Sequence, residues 1–439
     1  MEYRTLGKTG WKVSVISMGC QSICGQFGPI TDDEAVRLLH RARDLGINLF
    51  DTADSYGIPS GLGEERVGKA LASKRDGVFI ATKVGRWGGR YGHPLSFKHP
   101  SHIVTCCHAS LHRLRSDYID LYQCHVGDIE EPAVFLEAFE DLYQKGKIRA
   151  YGISTNSLSV LERFHRDSRC STCQLEFNVI NRSVAAKLLP YCKQHNLGTL
   201  IRSPLARGIL SGKLDRTTIF EDYLRRQWND GQERLSYLEK VSFVEKLAFL
   251  VNDRRSLAQA ALQFIIAHPG VTCVIPGAHN THQLEQNIAA CKDELNEEQE
   301  NQIKDLGRAF DRLREQRYLH SLSQVQKELR SIISEDTSFI LMDQDQWRGT
   351  EITEGLQPIP FVERDGEYWG PPSDDATAVR EFERLRQSGA GYAVVGWPAF
   401  WFLEYYPGLH DQLRSHCDCI LKNDRMIVFD LRVPAASSD

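Results

Sequence analysis

The chain has 439 residues, of which 41% are hydrophobic and 25% are charged, and a formal net charge of -5 at pH 7. These proportions are typical of globular proteins with a packed core, and they exclude a disordered or fibrous chain. The slight negative charge argues against nucleic-acid binding, because contact with a phosphate backbone needs positive charge clustered on one face. The length predicts several domains, or one large barrel with an added module.

No targeting or membrane-spanning segment is predicted. The first residues, Met1 to Arg4, lack the basic and then apolar order of a secretory signal. The longest apolar stretch, residues 392–403, is much shorter than the roughly 20 residues that span a bilayer. A cytoplasmic protein without a membrane partner is therefore expected.

The chain contains 12 cysteines. Without a secretory signal, this number favours reduced thiols over a disulfide scaffold. Cys170 and Cys173 have the spacing of a redox or zinc pair, but no second pair with finger spacing lies near them in the sequence. We expect two ordinary thiols at the start of a strand, and no metal site.

In chain order, a short hairpin over Tyr3–Leu6 and Lys12–Val15 leads into alternating apolar runs and amphipathic helical runs. Such alternation is typical of parallel strands joined by crossover helices. Eight β/α repeats over about 300 residues predict a TIM barrel. The predicted strands are Val13–Met18, Asn48–Asp51, Val78–Thr82, Asp120–Cys124, Ile148–Gly152, Thr172–Glu176, Gly198–Ile201 and Val271–Ile275.

Start signals for helices separate several of these strands. Thr31 and Glu34 predict a capping box for a helix that runs to Leu45, and Pro132 predicts the start of a helix that runs to Lys145. A charged insert with aromatic residues, 215–240, precedes the helix that begins near Ser256. We expect this insert on the loop face of the barrel.

A different pattern follows the barrel. A polar helical stretch leads into further strands and helices, predicted over Ser338–Met342, Pro358–Glu363, Ala376–Gln387, Gly391–Gly396, Ala399–His416, Cys419–Leu421 and Met426–Leu431. The expected fold class is α/β, with a (β/α)8 TIM barrel over residues 1–310, a helical linker over 311–335 and a small α/β module over 336–439. No function is predicted for this module. Its aromatic stretch, Trp397–Tyr406, fits core packing or a docking surface.

Side chains with catalytic chemistry follow three consecutive predicted strands. Asp51 and Tyr56 follow the second strand, Lys83 follows the third and His125 follows the fourth. Because the carboxyl ends of barrel strands meet at one rim, we expect these side chains to converge. Together with Gly63–Leu71, these stretches resemble the motifs around the catalytic tetrad of the aldo-keto reductases.

The resemblance implies interconversion of a carbonyl and an alcohol with a nicotinamide cofactor. It makes Tyr56 the general acid, Lys83 the group that lowers the pKa of the Tyr56 phenol, and Asp51 the partner of Lys83. Neutral His125 is expected to donate a hydrogen bond to the substrate carbonyl. Any one of these residues alone also fits a structural role, but all four at one rim favour catalysis.

The resemblance also implies where the cofactor binds. Its segments correspond here to the strand ends that hold the nicotinamide carboxamide, to the loop that wraps the pyrophosphate, and to the adenosine end of the site. Arg202 stands where many family members stack an aromatic ring on the nicotinamide. The implied residues are Gly19, Ser154, Asn156, Gln174, Arg202, Ser203, Leu205, Gly208, Pro276, Gly277, His279, Gln283 and Asn287.

The choice of nicotinamide cofactor is less specific. Family members that prefer NADPH often have arginine or lysine near the 2'-phosphate, whereas this chain has His279 and Gln283. NADP is expected, with NAD possible. No Gly-x-Gly-x-x-Gly motif follows a strand, so a Rossmann site is not predicted. The glycine-rich stretch Gly85–Arg90 is expected to be a substrate loop, because no P-loop lysine follows it.

The expected partner is a small-molecule carbonyl substrate, either an aldehyde, a ketone or a sugar-like compound. Its identity and the oligomeric state are not specified by the sequence. Candidate pocket residues are Phe27, Trp87 and Val126, and candidate anion contacts are Arg86, Arg225 and Arg226, although solvated surface charges are commoner. Two other functions stay open: a dehydrogenase that works in the oxidative direction, and a cofactor-sensing regulatory protein with little turnover.

Overall fold

The chain begins with an antiparallel hairpin, β1 (Tyr3–Thr5) and β2 (Lys12–Ser14), that closes the amino end of a parallel barrel. Leu6 and Val13 of this segment are fully buried against inward-facing residues of the barrel strands. The computed structural model describes residues 1–88, 95, 97–166 and 168–432. Since the hairpin fills the amino end, the carboxyl ends of the strands form the open mouth.

Eight parallel strands form the barrel, and each pairs with the next in chain order. Isolated bridges from Ile16 to Val274 and from Gly19 to Gly277 join the two edges of the sheet. The predicted (β/α)8 architecture is therefore confirmed. The strands are β3 (Met18–Gly19), β4 (Leu49–Asp51), β5 (Phe79–Val84), β6 (Ile119–Cys124), β7 (Ile148–Ser154), β8 (Thr172–Glu176), β9 (Gly198–Arg202) and β10 (Cys273–Val274).

The first predicted strand, Val13–Met18, is wrong as a single element. Ser14 pairs with Tyr3 in the hairpin, whereas Met18 pairs with Phe50 in the barrel. Between them the chain leaves one sheet for the other, at a turn in which the Ser17 hydroxyl donates to the Ser14 carbonyl at 2.8 Å. An apolar run that crosses such a turn looks continuous in sequence, because both halves are buried.

Helices cover the outside of the barrel and begin where the start signals predict. Thr31 and Glu34 form the expected capping box, and Ser256 forms a second one with Gln259. The helices are α1 (Asp32–Asp44), α2 (Leu62–Leu71), α3 (Pro100–Leu114), α4 (Ala133–Gln144), α5 (Leu158–His165), α6 (Leu188–Gln194), α7 (Gly231–Glu245), α8 (Leu257–Ile266), α9 (Thr281–Ala289) and α10 (Glu297–Ile332).

The predicted insert, residues 215–240, lies on the loop face, since it follows the carboxyl end of β9. Three aromatic side chains hold it together: Trp228 stacks on Tyr237 at 5.5 Å, and Phe220 meets both rings edge-on. The backbone N–H of Leu224 donates to the carbonyl of Gln26 in the loop after β3. The insert thus contacts the loop after β3 at the mouth of the barrel.

The second unit, Ala309–Asp439, contains a five-stranded mixed sheet with the order β12-β11-β15-β17-β16. Successive residues of β11 (Ser338–Met342) face opposite sides of the sheet, as the two-residue strand period requires. Phe339 and Leu341 pack on the Val325 and Leu329 side chains of α10, while Ile340 and Met342 pack on the other face. The elements are β11 (Ser338–Met342), β12 (Gln357–Pro360), β13 (Glu363–Arg364), β14 (Glu367–Tyr368), α11 (Asp375–Gln387), β15 (Tyr392–Gly396), α12 (Phe402–Tyr405), α13 (Pro407–His416), β16 (Asp418–Lys422) and β17 (Met426–Asp430).

The predicted helix Ala399–His416 is wrong as one element, since α12 ends at Tyr405 and α13 begins at Pro407. Proline has no backbone N–H and restricts the residue before it to extended conformations, so the helix breaks there. Phe402 and Tyr406 are buried, whereas Trp401 and Tyr405 are exposed. Among the described residues, none of the helices is both long enough and apolar enough to cross a membrane.

Candidate active site

Three of the four predicted catalytic residues form a hydrogen-bonded chain at the barrel mouth. The Lys83 ammonium, at the end of β5, donates to Asp51 Oδ2 at 2.7 Å and to the Tyr56 hydroxyl at 3.3 Å. It also donates to the carbonyl of Thr52 at 2.7 Å. The Lys83 side chain is fully buried, so the cation depends on these partners for its stabilisation.

Burial and charge act in opposite directions on this pair. Burial lowers the pKa of Lys83, but Asp51 and then Tyr56 outweigh it, so the net pKa lies above 10.5 and the amine stays charged. For Tyr56, burial raises the pKa above 10.0, and the opposing effect of Lys83 is smaller. Lys83 thus lowers the pKa of the phenol, as expected, but burial outweighs this effect and the net pKa stays above 10.0. Tyr56 holds its proton at neutral pH.

His125, the fourth predicted catalytic residue, follows the end of β6. Its ring meets the Tyr56 ring edge-on, with centroids 6.0 Å apart. The backbone fixes its place, because His125 N–H donates to the Val84 carbonyl and its own carbonyl accepts from Arg86 Nε at 2.9 Å. The structure thus brings all four predicted residues together.

Two glutamines complete the surroundings of Asp51. The amide of Gln174, at β8, donates to Asp51 Oδ1 at 2.7 Å, and the amide of Gln123 lies 3.4 Å from the same oxygen. Gln174 is predicted from sequence as a cofactor contact, and in this structure its NH2 group serves the carboxylate. Asp51 is consequently held by donors from three strands, β5, β6 and β8.

A cavity of about 1280 Å³ opens at this end of the barrel. Tyr56, Asp51 and His125 line it, and Lys83, which is not part of the lining, donates to the Tyr56 hydroxyl. All 13 predicted cofactor residues line the same cavity: Gly19, Ser154, Asn156, Gln174, Arg202, Ser203, Leu205, Gly208, Pro276, Gly277, His279, Gln283 and Asn287. Residues predicted at the ends of five strands thus share one surface.

The loop after β9 has an unusual backbone where it lines the cavity. Ser203, Ala206 and Arg207 have positive φ angles of 51°, 48° and 56°, and Gly208 has 98°. Left-handed non-glycine residues cost free energy and cluster at binding sites, where they turn backbone N–H groups towards a ligand. Arg207 and Lys213 also line this part of the cavity. The arrangement suits an anion.

Arg202 is fixed by two polar neighbours. Its guanidinium forms an ion pair with Glu176 at 2.9 Å and lies 3.3 Å from Asn156 Oδ1. The Asn156 oxygen also accepts from the Glu176 backbone N–H at 2.9 Å. Sequence reasoning missed Glu176, which ends β8 and carries no motif of its own. It orients the planar group that occupies the stacking position.

At the other end of the cavity, His279 links two loops. Its ring nitrogens lie 3.3 Å from the Ser22 carbonyl and 3.1 Å from the Pro29 carbonyl, and its backbone N–H donates to Gln283 Oε1 at 2.8 Å. Asn287 donates to the Gly277 carbonyl. These predicted residues therefore position one another as well as lining the cavity.

Only some of the predicted substrate contacts line the cavity. Phe27 lines the cavity, together with Arg86 and Arg225. Trp87 instead stacks under the Arg113 guanidinium at 4.7 Å, and Val126 packs against Gly85, so neither belongs to the described lining. Residues 89 and 90 of the predicted substrate loop lie outside the described residues.

Cys170 and Cys173 are both buried at the start of β8, as predicted. Burial raises the pKa of Cys170 to about 12, so its thiolate form is disfavoured. Among the described residues, no group of histidine, cysteine and carboxylate side chains has the arrangement of a metal site.

Residues 15–308 match the model of the aldo/keto reductase family. The chain belongs to this family. The aldo-keto reductase YhdN of Bacillus subtilis (strain 168) is 35% identical over 297 residues, which cover 65% of this chain and 87% of YhdN. The holo form of the aldo-keto reductase AKR11C1 from Bacillus halodurans is 32% identical with a TM-score of 0.59, over 70% of this chain and 96% of that one.

A further solved relative is an aldo/keto reductase from Klebsiella pneumoniae in complex with NADP and acetate. It is 28% identical with a TM-score of 0.54, over 70% of this chain and 95% of that one. As an aldo/keto reductase, the present chain is an oxidoreductase of an NAD(P)H-dependent family. The family match ends at residue 308, where the first compact unit also ends.

Proposed function

We propose that the protein reduces the carbonyl group of a small aldehyde, ketone or sugar-like compound with NADPH, and that Tyr56 is the general acid. The observation that supports this most directly is the buried chain from Asp51 through Lys83 to the Tyr56 hydroxyl at the base of the cavity. A protonated phenol beside a fixed cation can give up its proton without leaving an unpaired negative charge. The activity belongs to residues 1–310, followed by the linker 311–335 and the module 336–439.

The cavity fits a dinucleotide in size and charge. Arg202, Arg207, Lys213 and Arg225 line it, and the loop with left-handed residues after β9 turns its backbone towards the same space. These features suit a pyrophosphate, since both backbone N–H groups and fixed cations bind phosphate oxygens. When bound, the nicotinamide supplies the hydride. Ser154, Asn156 and Gln174 lie at strand ends on the side of Tyr56, where they would hold its carboxamide.

NADP is the proposed form of the cofactor. The Klebsiella pneumoniae relative was solved with NADP, and the His282 imidazole and the Gln283 amide line the cavity beside His279, whose own ring nitrogens face the Ser22 and Pro29 carbonyls. Imidazole and amide groups can donate hydrogen bonds to a 2'-phosphate, although less strongly than arginine. NAD would lack this phosphate and lose those bonds.

The catalytic roles follow from the geometry and the direction of the pKa shifts. Tyr56 donates its proton to the carbonyl oxygen as negative charge develops there. Lys83 stays charged and stabilises the phenolate that results, while Asp51 keeps Lys83 oriented. His125, edge-on to Tyr56, donates a hydrogen bond that orients the carbonyl. The same groups serve alcohol oxidation when Tyr56 accepts the proton.

The test is a panel of aldehydes, ketones and sugars with NADPH and with NADH, assayed for cofactor oxidation, and a matching panel of alcohols with NADP. We expect faster turnover in the reductive direction and a higher kcat/KM with NADPH. Faster alcohol oxidation at equal cofactor saturation would favour a dehydrogenase. Tight NADPH binding without turnover on any compound would favour a cofactor-sensing protein and contradict the proposal.

A further inference from the structure

Two buried carboxyl groups lie behind Tyr56, and the proposed chemistry uses neither. Asp54 is 1% exposed and Glu64 is 0% exposed. Asp54 lies two residues before Tyr56 on the loop after β4, and Glu64 lies in the first turn of α2, which follows the same loop. The loop that carries Tyr56 is thus bounded by one carboxyl group on each side.

The two carboxyl groups have different partners. Glu64 accepts hydrogen bonds from Thr82 Oγ1 at 2.5 Å and from Arg113 Nε at 2.7 Å, so its negative charge is compensated. No side-chain donor in the described part of the chain reaches hydrogen-bonding distance of either Asp54 carboxyl oxygen. A buried carboxylate without a compensating donor is costly, whereas a neutral carboxylic acid in the same place is much less so.

The charges around Asp54 also favour its neutral form. Burial, followed by the negative charge of Glu64, raises the pKa of Asp54 to about 8, and Arg113, the backbone N–H of Ser55 and Lys83 oppose this only in part. Tyr122 of β6 and Cys106 of α3 are the other titratable groups that interact with Asp54, and burial raises the pKa of both. Asp54 therefore carries its proton at neutral pH beside the ion pair of Glu64 and Arg113.

The backbone connects both carboxyl groups to the catalytic tyrosine. Tyr56 N–H donates to the Ala53 carbonyl, and the Tyr56 carbonyl accepts from Gly63 N–H, both at 3.2 Å. Ala53 and Gly63 are the sequence neighbours of Asp54 and Glu64. Gly63 also packs directly on the loop, since a Cβ atom there would lie 3.2 Å from Tyr56 Cβ and 2.7 Å from Thr52 Oγ1. Repulsion between the two carboxylates would act on this packed loop.

We propose that Asp54 is a positioning residue whose neutral carboxyl group allows the Tyr56 loop to pack against Glu64, and whose ionisation displaces Tyr56 and lowers activity at alkaline pH. This rests on the proposed role of Tyr56. Tyr56 itself stays protonated in this range, because burial keeps its pKa above 10.0. The alkaline loss of activity is therefore assigned to the carboxyl group and not to the phenol.

The first test measures the loop without any turnover. Hydrogen exchange of peptides that contain residues 53–63 is followed by mass spectrometry between about pH 7 and about pH 9. At about pH 9, only about a tenth of the Asp54 carboxyl groups keep their proton. Three proteins are compared: wild type, Asp54→Asn and Asp44→Asn. Asparagine at position 54 resembles the neutral acid, and Asp44 is a surface control whose side chain is 61% exposed. We expect protection of the loop to fall about tenfold in wild type and Asp44→Asn, after correction for intrinsic exchange, and to stay within about twofold in Asp54→Asn.

The second test uses the same three proteins in single-turnover reduction of benzaldehyde with saturating NADPH. We expect about a tenfold fall in the rate constant from about pH 7 to about pH 9 for wild type and the control, and less than about twofold for Asp54→Asn. At about pH 7 the variant should keep a rate within about threefold of wild type. An identical pH profile in wild type and Asp54→Asn, in either test, would overturn the inference. No reduction of any carbonyl by wild type would refute the proposed function, while the exchange result would still decide the role of Asp54.

Discussion

Asp54→Asn should make the barrel more stable, and the gain should grow with pH. The pKa of Asp54 rises from 3.8 to about 8 on folding, so within this interval unfolding releases a proton. Stability from such a group is fully present below pH 3.8 and is lost as pH rises towards 8, at about 1.4 kcal/mol per pH unit. Between about pH 4 and about pH 7 the wild-type barrel thus loses about 4 kcal/mol through this residue. Asparagine does not titrate, so the variant does not lose stability in this way.

The assay is native-state hydrogen exchange of peptides from β6, the fully buried strand Ile119–Cys124, because its slowest amides report unfolding of the barrel alone. Variant and wild type are compared at the same pH, so intrinsic exchange rates cancel. The free-energy difference should increase steadily between about pH 5 and about pH 8, and Asp44→Asn should show no such trend. A constant difference between Asp54→Asn and wild type would show that Asp54 is ionised in the folded protein, and the reasoning from burial would fail.

Three further changes test the site and the organisation of the chain. Lys83→Met leaves the buried Asp51 carboxylate without its cation, so barrel stability in the same exchange assay should fall by about 3–5 kcal/mol. The double variant Lys83→Met/Asp51→Asn should recover part of this loss, and no recovery would contradict the pairing of the two residues. His279→Arg can form a paired contact with a 2'-phosphate and should raise the ratio of NADPH to NADH affinity about tenfold in fluorescence titrations, whereas an unchanged ratio would remove His279 from that end of the site. A chain that ends in the polar stretch after Phe310 should still bind NADPH and reduce a carbonyl, and failure to fold or bind would show that the later residues complete the barrel.

The barrel was predictable because each strand is a short apolar run and several helices have start signals of their own. These patterns are local, so they can be recognised in the sequence without knowledge of the tertiary structure. Two predicted elements were wrong because a local sequence pattern continues past the point where the regular element ends. Residues 13–18 are apolar throughout, yet pass from the hairpin to the barrel, and residues 399–416 keep helical periodicity across the break before Pro407.

The site was predictable as a set of positions but less so in its electrostatics. Motifs at strand ends bring Asp51, Tyr56, Lys83 and His125 together, because barrel geometry fixes where strands end. The effect of Lys83 on the pKa of Tyr56 was predicted, but the larger effect of burial was not, since burial depends on the whole loop and a single sequence gives only the neighbouring charge. Asp54 was missed for the same reason, as its raised pKa comes from burial and from the charge of Glu64.

The most direct test of the central claim is the rate of hydride transfer in Tyr56→Phe. Single-turnover reduction of a carbonyl substrate found in the panel is measured with saturating NADPH, and NADPH affinity is measured separately by fluorescence. The control is Tyr118→Phe, since Tyr118 precedes β6 at the opposite, amino end of the barrel. We predict that Tyr56→Phe lowers the rate by about 10²–10⁴-fold and changes NADPH affinity little, while the control keeps both. Full activity in Tyr56→Phe would contradict the assignment of the general acid.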